Sequence, residues 1–154
     1  MRSVLVRVVV AGAGLATVVS FAAPLTAATP PGRYTYPAAG LVFDVKTGLT
    51  WQQKEGGYVT HAVAASMCAT LGLSGGGWRL PTMKELLTLT DYSRVIMASV
   101  AMLDPVAFPQ APSSLFWSST FQRGVAGSWM AVDSGGGFSL PWTNDHEFQV
   151  RCVR

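Results

Sequence analysis

The chain has 154 residues, with 11 Lys and Arg against 8 Asp and Glu, and a formal net charge of +3. Two of the cations, Arg2 and Arg7, precede an apolar run at 8–23, so the rest of the chain carries nine basic and eight acidic residues, a net charge of +1. No Lys/Arg cluster is present, which argues against a nucleic-acid partner.

Residues 1–28 have the pattern of a cleavable signal peptide. The basic start and the apolar run are followed by Thr26 and Ala28, small residues at the −3 and −1 positions of a cut after Ala28. The run is short for a membrane span, which needs about 20 apolar residues. We therefore favour cleavage over an uncleaved anchor, with no stable membrane insertion afterwards. The expected protein is exported, periplasmic or extracellular, with an entry segment at 29–40 and one domain at 41–154.

The first half of the mature chain predicts a hairpin and a helix. The entry segment contains Pro30, Pro31 and Pro37 and is expected to lack regular structure. Strand-like runs at 42–43 and 49–51 flank a turn at 46–48, where Asp44 is expected to stabilise the turn rather than bind a ligand. A helix is predicted over 61–71, capped by Thr60, with His61 in solvent. Its apolar face holds Ala64, Met67, Cys68 and Leu71.

A second helix is predicted from Met83 to about Thr90. Thr82 and Glu85 form a capping box, in which each side chain bonds the backbone N–H of the other residue. Residues 91–114 predict a long irregular loop with a helical turn near 95–102. Strands are then predicted at 116–121, 128–132, 138–143 and 148–153, with a hairpin turn at 134–137. Helices followed by an antiparallel meander indicate an α+β fold, with two helices packed on a small antiparallel sheet.

The cysteines and the last strand connect the two halves of the chain. Cys68 and Cys152 are an even pair in an exported chain, which predicts a disulfide; the alternative is two buried free thiols. The last run alternates, which places Phe148, Val150 and Cys152 on a buried face. Gln149 and Arg151 are then expected on the other, polar face.

Several motifs together resemble the Lcl C-terminal domain family (domain of unknown function 1566). The resemblance spans about residues 41–154 and implies a C-type-lectin-like fold, related to that of formylglycine-generating enzymes, on an exported bacterial protein such as a collagen-like adhesin. The family's activity is not established. The motifs are Asp44 with Thr47-Gly48-Leu49 and Trp51-Gln52, Gly77-Trp78-Arg79-Leu80-Pro81-Thr82 with Glu85-Leu86, Phe116-Trp117-Ser118-Ser119-Thr120, and Val150-Arg151-Cys152-Val153-Arg154.

One polar stretch is the best candidate binding site. In calcium-dependent lectins a Trp-Asn-Asp run supplies oxygen ligands, and here Trp142, Asn144, Asp145 and Glu147 are similar residue types, although Thr143 interrupts the run. A polar hairpin turn between two strands is the simpler interpretation, so no cofactor is expected and calcium remains the alternative. Of the five tryptophans, Trp142 is the best candidate for exposure; the core is expected to hold Trp51, Trp78, Trp117 and Trp129.

No catalytic set is recognised in the sequence. His61 and His146 lie far apart and match no zinc motif, and Ser118 and Ser119 lack a nucleophile turn. The leading hypothesis is an exported, non-enzymatic binding module for a glycan or a cell-surface protein, as in an adhesin. The alternatives are an enzyme related to the formylglycine-generating group, which needs a reduced cysteine, and a structural subunit of a surface assembly.

Overall fold

The computed structural model describes residues 29–94 and 100–154. This part contains the helices α1 (His61–Thr70) and α2 (Met83–Thr88). A three-stranded sheet has the order β1-β2-β3, and a five-stranded sheet has the order β4-β8-β5-β6-β7. The predicted α+β class is confirmed, whereas the predicted signal peptide lies outside the described residues. The strands are β1 (Tyr34–Thr35), β2 (Leu41–Asp44), β3 (Leu49–Gln52), β4 (Tyr58–Val59), β5 (Leu115–Phe121), β6 (Ser128–Asp133), β7 (Ser139–Thr143) and β8 (Phe148–Gln149).

The first hairpin forms as predicted, and a buried ion pair stabilises it in addition to its turn. Gly48 takes a positive φ of 72° at the turn, and Asp44 Oδ1 accepts from the Lys46 backbone N–H at 3.0 Å. The Asp44 side chain is also fully buried against Arg33, with a 2.8 Å ion pair. Arg33 further donates to the Thr88 carbonyl at the end of α2. This pairing holds the entry segment beside β2 and allows β1 to form, so the prediction of no regular structure there was wrong.

The five-stranded sheet lies between the two helices. Neighbouring residues of a strand face opposite sides, and Phe116 of β5 packs in a core with Leu86 and Leu89 of α2. Trp117, the next residue, packs in a second core with Ala64 and Cys68 of α1. We call these the α2-side core and the α1-side core. The predicted single meander was wrong, because β8 pairs parallel with β5 and antiparallel with β4 instead of continuing from β7.

Both helices form where the sequence predicts them, although Thr60 makes no side-chain capping bond at α1 and α2 ends at Thr88 instead of near Thr90. The capping box at α2 is present, with Glu85 N–H donating to Thr82 Oγ1 at 3.2 Å and Thr82 N–H donating to the Glu85 carboxylate at 2.7 Å. Arg79 holds the same carboxylate at 2.7 Å. The predicted disulfide is confirmed between Cys68 of α1 and Cys152, with 5.4 Å between their Cα atoms.

The loop at 91–114 contributes to the α2-side core. A 3-10 turn covers Tyr92–Arg94, and most of the helical turn predicted near 95–102 lies outside the described residues. Met102 and Phe108 are almost fully buried, because the loop folds back so that Met102 N–H donates to the Ser134 carbonyl and its carbonyl accepts from Asp91 N–H. The irregular segment therefore closes one side of the sheet.

The C-terminal run does not form the predicted alternating strand. β8 ends at Gln149, and Val153 makes isolated bridges to Trp51 and Arg79. Gln149 and Arg151 were expected to face solvent, which was wrong: both are buried, Arg151 to 1% exposure. The run crosses between the two sheets, so both of its faces meet protein. Arg151 points into the α2-side core and Cys152 into the α1-side core.

Within 29–94 and 100–154, every helix is too short or too polar to cross a membrane.

Candidate functional site

A line of three aromatic residues crosses one end of the five-stranded sheet. Phe121 of β5 lies opposite Trp129 of β6, and Trp129 lies opposite Trp142 of β7. Directly opposite residues project from the same face of a sheet. We call Phe121, Trp129 and Trp142 the aromatic row. Phe121 is 45% exposed, and the two tryptophans are partly buried.

Each ring of the row is held in place by further aromatic side chains. The Phe121 ring meets the edge of Trp129 at 5.4 Å between centroids, and Trp129 stacks on His61. Trp142 has other neighbours, with Phe148 at 5.3 Å and His146 at 4.8 Å. The two tryptophans therefore have different aromatic neighbours, and both pack against the α1-side core.

His61 was predicted to lie in solvent, and this was wrong. Its side chain is buried to 7% exposure between Trp129, at 4.0 Å and 12° between ring planes, and Trp117, at 5.3 Å. Nε2 lies 3.1 Å from the Ser118 carbonyl oxygen. Burial lowers the pKa of His61, and the hydrogen bond to Ser118 only partly opposes this effect. The helical spacing was a signal for this burial that the prediction missed: His61 precedes Ala64 by three residues and Cys68 by seven, so the three share the buried face of α1.

The stretch at 144–147 is a crossing connection, so the prediction of a hairpin turn between two paired strands was wrong. β7 and β8 are separated in the sheet by β6 and β5. The connection runs across the sheet end and is tied to the turn between β5 and β6, where Asn144 N–H donates to the Gly127 carbonyl at 3.0 Å. It lies next to Trp142 in the chain and therefore at one end of the aromatic row.

The polar groups of this connection are open to solvent. Asn144 and Glu147 are exposed, and the Asp145 side chain is 75% exposed. His146 Nδ1 lies 3.3 Å from Asp145 Oδ1 and 3.4 Å from Thr143 Oγ1. A hydrogen bond from the Thr143 hydroxyl, with a smaller contribution from His146, lowers the pKa of Asp145. Asp145 is thus an ionised acceptor beside an aromatic surface.

The family model of the Lcl C-terminal domain matches residues 40–154, which is most of the chain. The chain belongs to the Lcl C-terminal domain family. The resemblance stated from its motifs is thereby confirmed, and the matched part of the domain includes both cysteines, the aromatic row and the connection at 144–147. A comparison with curated proteins finds no match.

The described part of this Lcl C-terminal domain does not bring potential metal ligands together. Across 29–94 and 100–154, no group of three or more His, Cys, Asp or Glu side chains is placed to hold a metal ion. The predicted candidates Asn144, Asp145 and Glu147 share one exposed connection, where their carboxylate and amide oxygens can accept hydrogen bonds and the Asn144 amide nitrogen can donate. The arrangement is suited to polar contacts with a ligand that also covers the rings.

Two concave features of the described domain lie elsewhere. A cleft of about 210 Å³ is lined by the entry segment together with Asp104 and Val106. A cavity of about 10 Å³, roughly the room for one water molecule, lies in the α2-side core beside Arg151. Neither is lined by the aromatic row.

Sequence reasoning found part of this site. Trp142 and the polar residues after it were identified, whereas Phe121, Trp129 and His61 were missed. For Trp129 a signal was available: in a hairpin closed by the turn at 134–137, residues equally distant from the turn pair, which places Trp129 opposite Trp142. Phe121 joins the row through a register shift in β5 between Trp117 and Phe121, for which the sequence offers no clear sign.

Proposed function

We propose that this chain is an exported, non-enzymatic binding module whose ligand is a carbohydrate, bound on the aromatic row. The observation that carries the proposal is the alignment of Phe121, Trp129 and Trp142 across three strands with one ring 45% exposed. An exposed group of large apolar side chains is characteristic of interaction sites.

The chemistry of the surface suits a sugar better than a purely apolar ligand. A pyranose ring has an apolar face formed by C–H groups and a rim of hydroxyls. Indole and phenyl rings provide flat apolar area with little loss of side-chain entropy, and the row is bordered by the ionised Asp145 and by Asn144 and Glu147. A small number of polar groups next to aromatic surface fixes the orientation of a ligand.

We further propose that the fold is C-type-lectin-like. In support, a disulfide ties α1 to the end of the chain, and a long irregular segment lies beside the sheet. This comparison is an analogy of fold, which by itself does not assign a ligand; the aromatic row is the independent argument. In the proposal, calcium is not required, because the sugar is held by stacking and by direct hydrogen bonds.

A glycan array tests the proposal with the folded protein and two variants. We expect bound glycans for the unaltered chain, and loss of that binding for Trp142→Ala and Phe121→Ala. Tyr36→Ala is the matched control, since Tyr36 is another exposed aromatic residue, at 49% exposure, outside the row. Binding should persist in a chelator. An array without signal for the unaltered chain, or equal losses for all three variants, would contradict the proposal.

The two alternative functions make different demands on the molecule. An enzyme related to the formylglycine-generating group needs a reactive thiol, whereas the two cysteines of the chain are joined to each other. Labelling of Cys68 or Cys152 by an alkylating reagent without prior reduction would favour the enzyme. A structural subunit of a surface assembly would instead show a stable protein partner and no glycan binding.

A further inference from the structure

The His61 side chain stacks directly on Trp129, the central ring of the aromatic row. The imidazole lies face to face with the Trp129 indole, with 4.0 Å between centroids and 12° between planes. One face of the central ring of the row is therefore covered by a titratable group. The edge of the same indole meets Phe121, so the orientation of Trp129 also determines the support of its exposed neighbour.

The hydrogen bond of His61 determines its tautomer. A carbonyl oxygen only accepts, so Nε2, 3.1 Å from the Ser118 carbonyl, must carry the hydrogen. Nδ1 then holds the lone pair and is the atom that a proton from solvent would bind. The imidazole is fixed on one side by this bond and on its face by the indole.

The surroundings of His61 disfavour a charge. Within the part of the chain that the structure describes, the groups that contact it are uncharged: Trp117 and the Ser118 carbonyl from β5, and Trp129 from β6. His61 is also the first residue of the ten-residue helix α1, where the helix dipole is positive. An imidazolium would gain cation–π attraction to Trp129, but it would lose its hydration and meet no counter-charge.

We propose that His61 is a positioning residue for Trp129: the neutral imidazole holds the indole in the aromatic row, and protonation at Nδ1 releases it. The row is then assembled at neutral pH and loosened in acid. The lowered pKa of His61, caused by burial, agrees with a neutral ring near pH 7. As far as a ligand is concerned, this inference rests on the proposed function, whereas the position of Trp129 can be tested without any ligand.

Nuclear magnetic resonance of the imidazole nitrogens tests the tautomer directly. The chain contains two histidines, so a His146→Gln background leaves His61 as the single imidazole. We expect the Nε2–H form at neutral pH and a titration midpoint below 6.5, the ordinary value for histidine. The Nδ1–H form, or a midpoint above 6.5, would overturn the proposal, and this measurement does not depend on any variant at position 61.

The indole N–H signal of Trp129, assigned by comparison with Trp129→Phe, reports on the ring itself. It should shift with the same midpoint as His61, and His61→Phe, which keeps an aromatic ring at that position, should abolish the shift. A Trp129 signal that moves with pH in His61→Phe as it does in the unaltered chain would show that His61 does not control the ring. If His61 has a purely structural role, the Trp129 signal and the His61 titration should not share a midpoint.

A glycan identified on the array provides the last comparison. Its binding should weaken as the pH falls through the His61 midpoint, and His61→Phe should bind with little dependence on pH over that range. If no glycan binds at any pH while the two resonance measurements hold, the proposed function fails and the positioning role of His61 stands. If a glycan binds equally well in acid, the link from His61 to the ligand is refuted.

Discussion

The two sides of the five-stranded sheet differ in what they bury: the α2 side buries a charged group, whereas the α1 side leaves aromatic rings partly exposed. On the α2 side, the Arg151 guanidinium is sealed inside the core over the Phe108 ring, at 4.5 Å. On the α1 side, large aromatic rings reach the surface, and Phe121 is 45% exposed. A buried charge costs free energy unless it is paired, and exposed rings forgo the hydrophobic stabilisation of burial. Each arrangement therefore needs its own explanation.

The buried charge is explained by its partners. Arg151 donates to the Gln52 carbonyl at 2.8 Å and to the Gln53 carbonyl, and it forms an ion pair with Glu55 at 3.1 Å. Burial lowers the pKa of Arg151 to about 10, although the nearby Glu55 carboxylate raises it. Arg151 thus remains charged at neutral pH and ties the end of the chain to the segment after β3. The exposed rings have no comparable structural explanation, which makes them the better functional candidate.

The largest expected effect concerns the bond that joins α1 to the end of the chain. Cys152→Ser removes a cross-link between positions 84 residues apart, and the chain-entropy model gives a loss of about 4–5 kcal/mol in the free energy of unfolding. Cys68→Ser should lose a similar amount, and the double variant no more than either, since all three lack the same bond. Denaturant unfolding measures the three losses, and additive values would mean that the cysteines act independently.

Arg151→Ala tests the α2 side and should have the next largest effect. The change leaves Glu55 and two backbone carbonyls without their partner, and we expect a loss of about 3 kcal/mol or slightly more in the free energy of unfolding. Glu55→Gln is the matched control and should cost less, because both backbone carbonyls keep their donor and the glutamine amide oxygen can still accept from Arg151. A loss for Arg151→Ala no larger than that of the control would mean that the buried charge is not held by these contacts.

A smaller effect is expected at the cap of α2, where the sign of the pH dependence can be stated. The hydrogen bond from Arg79, with help from Thr82, lowers the pKa of Glu85 from 4.5 to about 2. The carboxylate therefore stabilises the fold above about pH 4.5, and this contribution is lost as the pH falls toward 2. Glu85→Gln should cost about 1 kcal/mol at neutral pH, discounted for partial exposure.

Unfolding measured at several pH values checks this prediction. The difference between Glu85→Gln and the unaltered chain should shrink between about pH 4.5 and 2, the interval between the two pKa values. Lys84→Gln is a suitable control, since it changes a charge of the same helix outside the capping box. A difference that stays constant over this interval would contradict the assigned role of the carboxylate.

The smallest expected effect on stability is that of a substitution in the aromatic row. Phe121→Ser should change the free energy of unfolding by no more than about 0.5 kcal/mol, as is usual for exposed positions, while it removes the end of the proposed glycan surface. The opposite pattern, a large loss of stability with unchanged binding on the array, would mean that Phe121 serves the fold. Phe121→Ser and Arg151→Ala together would then no longer distinguish a functional side from a structural one.

Short-range features of this protein could be predicted from its sequence. The hairpin at Asp44–Gly48, the capping box at Thr82–Glu85 and the β6–β7 hairpin all depend on residues within a few positions of each other. The disulfide was also accessible, because two cysteines in a chain expected to be exported allow one pairing. In each case the interacting residues are close in sequence or, for the cysteines, only one pairing is possible.

Only the tertiary structure decided where Arg151 and Phe121 lie and which rings surround His61. His61 is buried by β5 and β6, which come more than 50 residues later, and Arg151 is buried by Gln52, Gln53 and Phe108. Alternation along a strand cannot predict such burial when the run crosses between two sheets and both of its faces are covered. Phe121 reached the row through a register shift in β5. The burial of Arg151, the register at Phe121 and the rings around His61 depend on partners distant in sequence, and no local pattern records them.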